Sequence, residues 1–133
     1  MKRSLVSDAE TFQNAPVRLQ NRLVKSNQSL LVTGDVTSWT LKVISGTTVH
    51  TVVNAQPAAG YFFATLQTGN GWSRDSTGYN FEYVFTPTGV ISGASAEQYE
   101  GGKTYRLEFI AVDAGGATLA KWVWNVKVLP WAG

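Results

Sequence analysis

The sequence of 133 residues contains no cysteine. That excludes disulfide staples, thiolate metal sites and cysteine nucleophiles together. Histidine occurs once, as His50, and no Asp or Glu lies within fourteen residues of it. A metal centre there would need carboxylates brought in by the fold, so no metal or cofactor is expected. Charge is also scarce: 15% of the residues are charged, against about a quarter in ordinary domains. Eleven Lys plus Arg face nine Asp plus Glu for a net charge of +2, scattered from Lys2 to Lys127. Such a distribution has no basic stripe with which to track phosphates, so nucleic acid is not an expected partner. No apolar run approaches the ~20 residues of a membrane-crossing helix. After Lys2 and Arg3, the residues Asp8, Glu10, Gln13 and Asn14 stand where a signal peptide would need its apolar run. Neither a membrane partner nor a signal peptide is therefore expected.

Aromatic residues, by contrast, are plentiful: five Trp, five Tyr and six Phe. From Val17 onward they fall into period-two alternation, the mark of strands with one buried face. Tyr79, Phe81, Tyr83 and Phe85 share one side of a single strand, opposite Asn80, Glu82, Val84 and Thr86. Tyr105, Leu107, Phe109 and Ala111 repeat the pattern, and Trp122, Trp124, Val126 and Val128 follow a tight turn at Asp113-Ala114-Gly115-Gly116. Further strands are predicted at Val17 to Leu23, Leu30 to Val32, Trp39 to Val43, Thr48 to Val53 and Tyr61 to Leu66, with a hairpin turn at Ser45-Gly46-Thr47. About eight strands without a long helical pattern predict an all-β fold, an antiparallel two-sheet sandwich of immunoglobulin-like topology. The domain is expected over residues 16–133.

Residues 1–15 read as a short arm. Ser7-Asp8-Ala9-Glu10 has the form of a helix capping box and Ala15-Pro16 would end the turn. The arm's apolar residues Leu5, Val6 and Phe12 are candidates for contact with a partner. So are Trp72, Tyr99 and Trp131, which lie outside the strand alternation, because an exposed aromatic ring can anchor an interface or stack on a sugar. The segment from Pro87 to Gly102 is the longest weakly patterned stretch and the first place to look for a partner.

Catalytic constellations are not evident. Gly-x-Ser-x-Gly is absent, and Glu82 and Glu108 fall on the polar faces of their strands. Asp75-Ser76-Thr77-Gly78 lacks the alternating ligands of a calcium loop and precedes a strand where a phosphate loop needs a helix, so it reads as a turn. Asn27-Gln28-Ser29 matches a glycosylation acceptor only by chance in a chain without a secretory signal. No enzyme activity is expected.

Three stretches carry a family resemblance: Thr33 to Trp39, Trp72 to Phe81, and Gly101 to Phe109 with the Gly115-Gly116 hairpin behind it. In the order of its elements from Val17 to Leu129 the chain resembles small immunoglobulin-like β-sandwich proteins of tailed bacteriophage virions, and is similar to the N-terminal domain of upper-baseplate proteins. The resemblance implies a non-enzymatic virion component, assembled in the host cytoplasm and docked in symmetric copies on other virion proteins, either the major capsid protein or tail and baseplate proteins. No receptor-binding stalk follows Leu129, which favours a capsid decoration or cement protein over a fibre-attachment adaptor. A carbohydrate-binding module is the third reading, motivated by Trp72, Tyr99 and Trp131.

Overall fold

A computed structural model describes residues 5–25, 29–91 and 97–130, with the backbone alone for Leu5. Among these residues eight strands occur in the order β1 (Leu5–Phe12), β2 (Val17–Asn21), β3 (Ser38–Ser45), β4 (Thr48–Gln56), β5 (Phe62–Gln67), β6 (Tyr79–Phe85), β7 (Thr104–Val112) and β8 (Thr118–Leu129). A 3-10 turn at Thr33–Asp35 precedes β3. The strands form a five-stranded sheet in the order β1-β8-β7-β3-β4 and a three-stranded sheet in the order β2-β6-β5. These are the two sheets of an immunoglobulin-type sandwich, with the first strand laid beside the last.

Alternation decides the faces. Trp39, Leu41 and Val43 of β3, Tyr105, Leu107, Phe109 and Ala111 of β7, and Trp122, Trp124, Val126 and Val128 of β8 are all buried. Phe81 and Phe85 of β6 meet them from the other sheet. The centre is an aromatic lattice: Trp122 stacks on Phe109 with centroids 5.5 Å apart, Phe81 meets Trp122 edge-on at 4.9 Å, and Trp39 packs on Tyr61 at 4.7 Å. Each such pair adds roughly 0.5–1.5 kcal/mol beyond the area it buries. Tyr105 donates no part of this. Its hydroxyl accepts a 2.7 Å hydrogen bond from the Glu100 N–H, five residues upstream. The bond has the form of the tyrosine corner known from immunoglobulin-like sandwiches, and two residues on stands the fully buried Leu107.

Two expectations are corrected. The supposed helical turn within residues 1–15 is β1, paired parallel with β8 from Leu5↔Trp122 to Phe12↔Leu129. A local capping box satisfies few backbone groups, whereas the open edge of β8 satisfies a whole strand's worth. Small side chains make the fit possible, since Ser7, Ala9 and Thr11 turn inward while Val6, Asp8, Glu10 and Phe12 lie on the outer face. Leu30 to Val32 is not a strand beyond a single bridge, Val24↔Leu30. Leu31 instead plugs the core, and Val32 leads into the 3-10 turn, its N–H held by Asp35 at 3.1 Å.

Strand register sorts the connections. Of the described residues, those of 22–37, 68–78 and 113–117 gather at one end, and those of 13–16, 46–47 and 86–103 at the other.

Candidate functional site

At the second end the long connection 86–103 does not stand free. Val90 bridges Gln98, the Ile91 N–H reaches the Glu97 carbonyl at 2.9 Å, and the Tyr99 N–H reaches the Gly89 carbonyl at 3.1 Å. Ile91 and Tyr99 are buried. Tyr99 packs edge-on against Phe85 at 5.4 Å and Tyr105 at 5.1 Å. It is therefore no surface anchor, and burial pushes its phenol pKa up. Sequence placed it in a loop, but the loop folds back and uses the ring as a plug.

Glu97 fastens this loop to the β3–β4 hairpin. One carboxylate oxygen accepts from the Ser45 hydroxyl and the other lies 3.0 Å from His50 Nε2. Ser45 and His50 are neighbours because the hairpin register pairs Ser45 with Thr48 and Val43 with His50, which puts both side chains on the inner face. The Ser45 hydroxyl, then His50, hold the Glu97 carboxyl below the usual carboxylate range. Serine, histidine and glutamate thus meet, but with the carboxylate in the middle. Nucleophilic activation needs the hydroxyl bonded to the imidazole, and here the hydroxyl donates to the carboxylate instead. The geometry makes a latch. Beside it a shallow open depression is lined by Ser45, Thr47, Thr48, Glu97, Lys103 and Thr104, with Lys103 paired to Glu100 at 2.6 Å. Among the described residues no group of three or more His, Asp or Glu could hold a metal ion.

The opposite end holds Trp72. Its Nε1 donates to the Asp75 carbonyl at 3.1 Å and the Asp75 carboxylate at 3.2 Å. Arg74 lies over its ring at 5.3 Å and over the Trp124 ring at 5.4 Å, and Tyr79 packs on it at 5.4 Å. Asp75 organises the turn, accepting from the Thr77 and Gly78 N–H groups and pairing with Arg22 at 2.9 Å, which lowers its pKa. Gly78 is obligatory in it: its φ is +106° and a Cβ there would run into the Gln67 carbonyl. The turn reading of residues 75–78 is what the structure has, and Trp72 is half-buried within it.

Asn80 is the residue that alternation misplaced. Its side chain accepts from the Leu23 N–H at 2.7 Å and donates to the carbonyls of Leu23 at 2.9 Å and Leu31 at 2.7 Å, all in the interior. An amide on the supposed polar face is the peg that holds connection 22–37. On β1, Val6 is 53% and Phe12 48% exposed. Leu5 is placed only by its register opposite Trp122, and Trp131 lies outside the described residues. The described candidates therefore divide: Val6 and Phe12 are presented, Trp72 is half covered and Tyr99 is withdrawn. No family model, curated protein or solved structure matches this chain.

Proposed function

We propose that the chain is a non-enzymatic structural protein of a tailed-bacteriophage virion, a capsid decoration or cement protein that docks on neighbouring subunits and stabilises them. The observation that carries this reading is the sidedness of β1. A strand that served only its own fold would turn its large apolar residues inward. This one gives the interior Ser7, Ala9 and Thr11 and gives the outer face Val6 and Phe12, each about half exposed. Apolar side chains on an edge strand are a surface for a neighbour. The resemblance in element order to small phage sandwich proteins supplies the setting.

The tail or baseplate adaptor reading uses the same surface at lower copy number. The carbohydrate reading has less behind it, since Tyr99 is buried and the Trp72 ring is already occupied by Arg74 and Tyr79. Quantitative mass spectrometry of purified particles separates the readings. A copy number near that of the major capsid protein is expected, falling at least tenfold when Val6 and Phe12 are both changed to Ser. A ring of a few copies confined to the tail would move the protein to the adaptor class, and absence from particles would remove both.

A further inference from the structure

The second edge of the five-stranded sheet, β4, carries an independent inference that holds whether or not the chain belongs to a particle. Among the described residues β4 has no strand on its outer side. From Thr48 to Gln56 it reads Thr-Val-His-Thr-Val-Val-Asn-Ala-Gln, with no Lys, Arg, Asp, Glu or Pro. Natural edge strands are normally guarded by such residues. The hairpin turn Gly46–Thr47 has two residues, with Gly46 at φ 61°. Ser45 and Thr48 then form the closing hydrogen-bonded pair, and by alternation the backbone groups of Val49 and Thr51 point away from β3 into solvent. Val49 is 55% exposed and its register partner across the hairpin is the half-buried Ile44.

We propose that β4 pairs antiparallel with β4 of a second copy about a twofold axis at His50, joining the two five-stranded sheets into one. Charge argues for self-pairing. A twofold interface sets the axial residue against its own image and the residues flanking it against one another, so charged residues near the axis would meet like charges. β4 has none, whereas Asp8 and Glu10 on β1 would be opposed at the other edge. Centring the axis on His50 aligns Val49 with Thr51 of the copy, twice over, and makes roughly four backbone hydrogen bonds. Each His50 remains latched to its own Glu97. The rest of β4 limits the ladder. Register shifts after Thr51 and after Val53, with Ala55 at φ 51°, bend the strand out of line. A short ladder that closes on itself gives a dimer and no fibre.

So small an interface implies a dissociation constant on the order of 100 µM. Sedimentation equilibrium from about 10 µM to 1 mM should show monomer passing to dimer. Val49→Lys places two ammonium groups near one another, and Thr51→Pro removes an outward N–H without touching the bonds to β3; each should weaken association at least tenfold. Val84→Lys, at a comparably exposed valine on β6, should not. If a β4 variant fails to fold, hydrogen exchange on the unaltered protein decides instead, with the Val49 and Thr51 amides gaining protection as concentration rises. A monomer at 1 mM, or a dimer indifferent to both β4 substitutions, or amides whose exchange is independent of concentration, would overturn the proposal.

Discussion

The two ends of the sandwich fasten their long connections with different chemistry. At one end connection 22–37 is pegged by a neutral, interior amide, Asn80, whose side chain satisfies one backbone N–H and two carbonyls. At the other, connection 86–103 is fastened by the buried Tyr105 hydroxyl and by Glu97, a carboxylate with 30% of its side chain exposed, bonded to Ser45 and His50. A buried amide is indifferent to pH and has no water to fall back on when its partners are lost. A partly exposed carboxylate can exchange protein partners for water, and it titrates. The first end therefore adds a fastening that does not titrate to its Arg22–Asp75 pair, whereas the second combines a titrating latch with a fixed tyrosine.

Removing the peg should have the largest effect. Asn80→Ala strands the buried Leu23 N–H and Leu31 carbonyl and leaves the Leu23 carbonyl with only its 3.0 Å bond from the Leu31 N–H, and a cost of about 3–5 kcal/mol follows from unpaired interior groups. Urea unfolding should show a lower midpoint with an unchanged m-value. Asn80→Asp sharpens the point. It keeps the acceptor for Leu23 N–H but sets a carboxylate against two carbonyls, which raises its folded pKa. A raised folded pKa confers relative stability below the unfolded value, and that stability is lost as pH rises, so this variant should be at its worst at neutral pH and recover toward pH 4. A neutral-pH stability equal to the unaltered protein's would break the contrast between the two ends.

Tyr105→Phe tests the fixed part of the second end. The ring's packing is retained while the Glu100 N–H loses its 2.7 Å acceptor, at a cost of about 1–2 kcal/mol. The loss should show as faster exchange of the Glu100 amide and a fall of several degrees in Tm.

Much of this was legible in sequence because burial in a sandwich writes itself in period two. Tyr79 to Phe85, Tyr105 to Ala111 and Trp122 to Val128 declare their inner faces through large side chains. β1 does not, since Ser7, Ala9 and Thr11 are small or polar while Val6 and Phe12 face outward; its strand character comes from the open edge of β8, a partner more than a hundred residues away. Asn80 is illegible for another reason: an amide alternating with aromatics has the pattern of a solvated residue, and only the packing of Leu23 and Leu31 around it reveals the interior. The latch joins residues 47 and 52 positions apart, beyond any local pattern. Tyr105 left a usable signal, a tyrosine just inside the strand after Gly101-Gly102 and two residues before an apolar core position.

The smallest effect is expected at the latch, and it concerns pH. Glu97 has its pKa lowered first by the Ser45 hydroxyl and then by His50. A lowered folded pKa means stability fully present above the unfolded carboxylate value of about 4.3 and lost as pH falls through the folded one. Glu97→Gln keeps the shape, retains an acceptor and removes the titration. Its effect at pH 7 should be confined to the loop, seen as faster exchange of the Ile91 and Tyr99 amides with the β6 and β7 amides unchanged. Between pH 5 and 3 its stability should fall less steeply than that of the unaltered protein. Asp75 and Asp35 also have lowered pKa values, through Arg22 and through the Val32 N–H respectively, so part of the acid loss must survive in the variant. If the acid profile were unchanged by Glu97→Gln but flattened by Asp75→Asn, the titrating end would be the one with Trp72, and the contrast between the two ends would reverse.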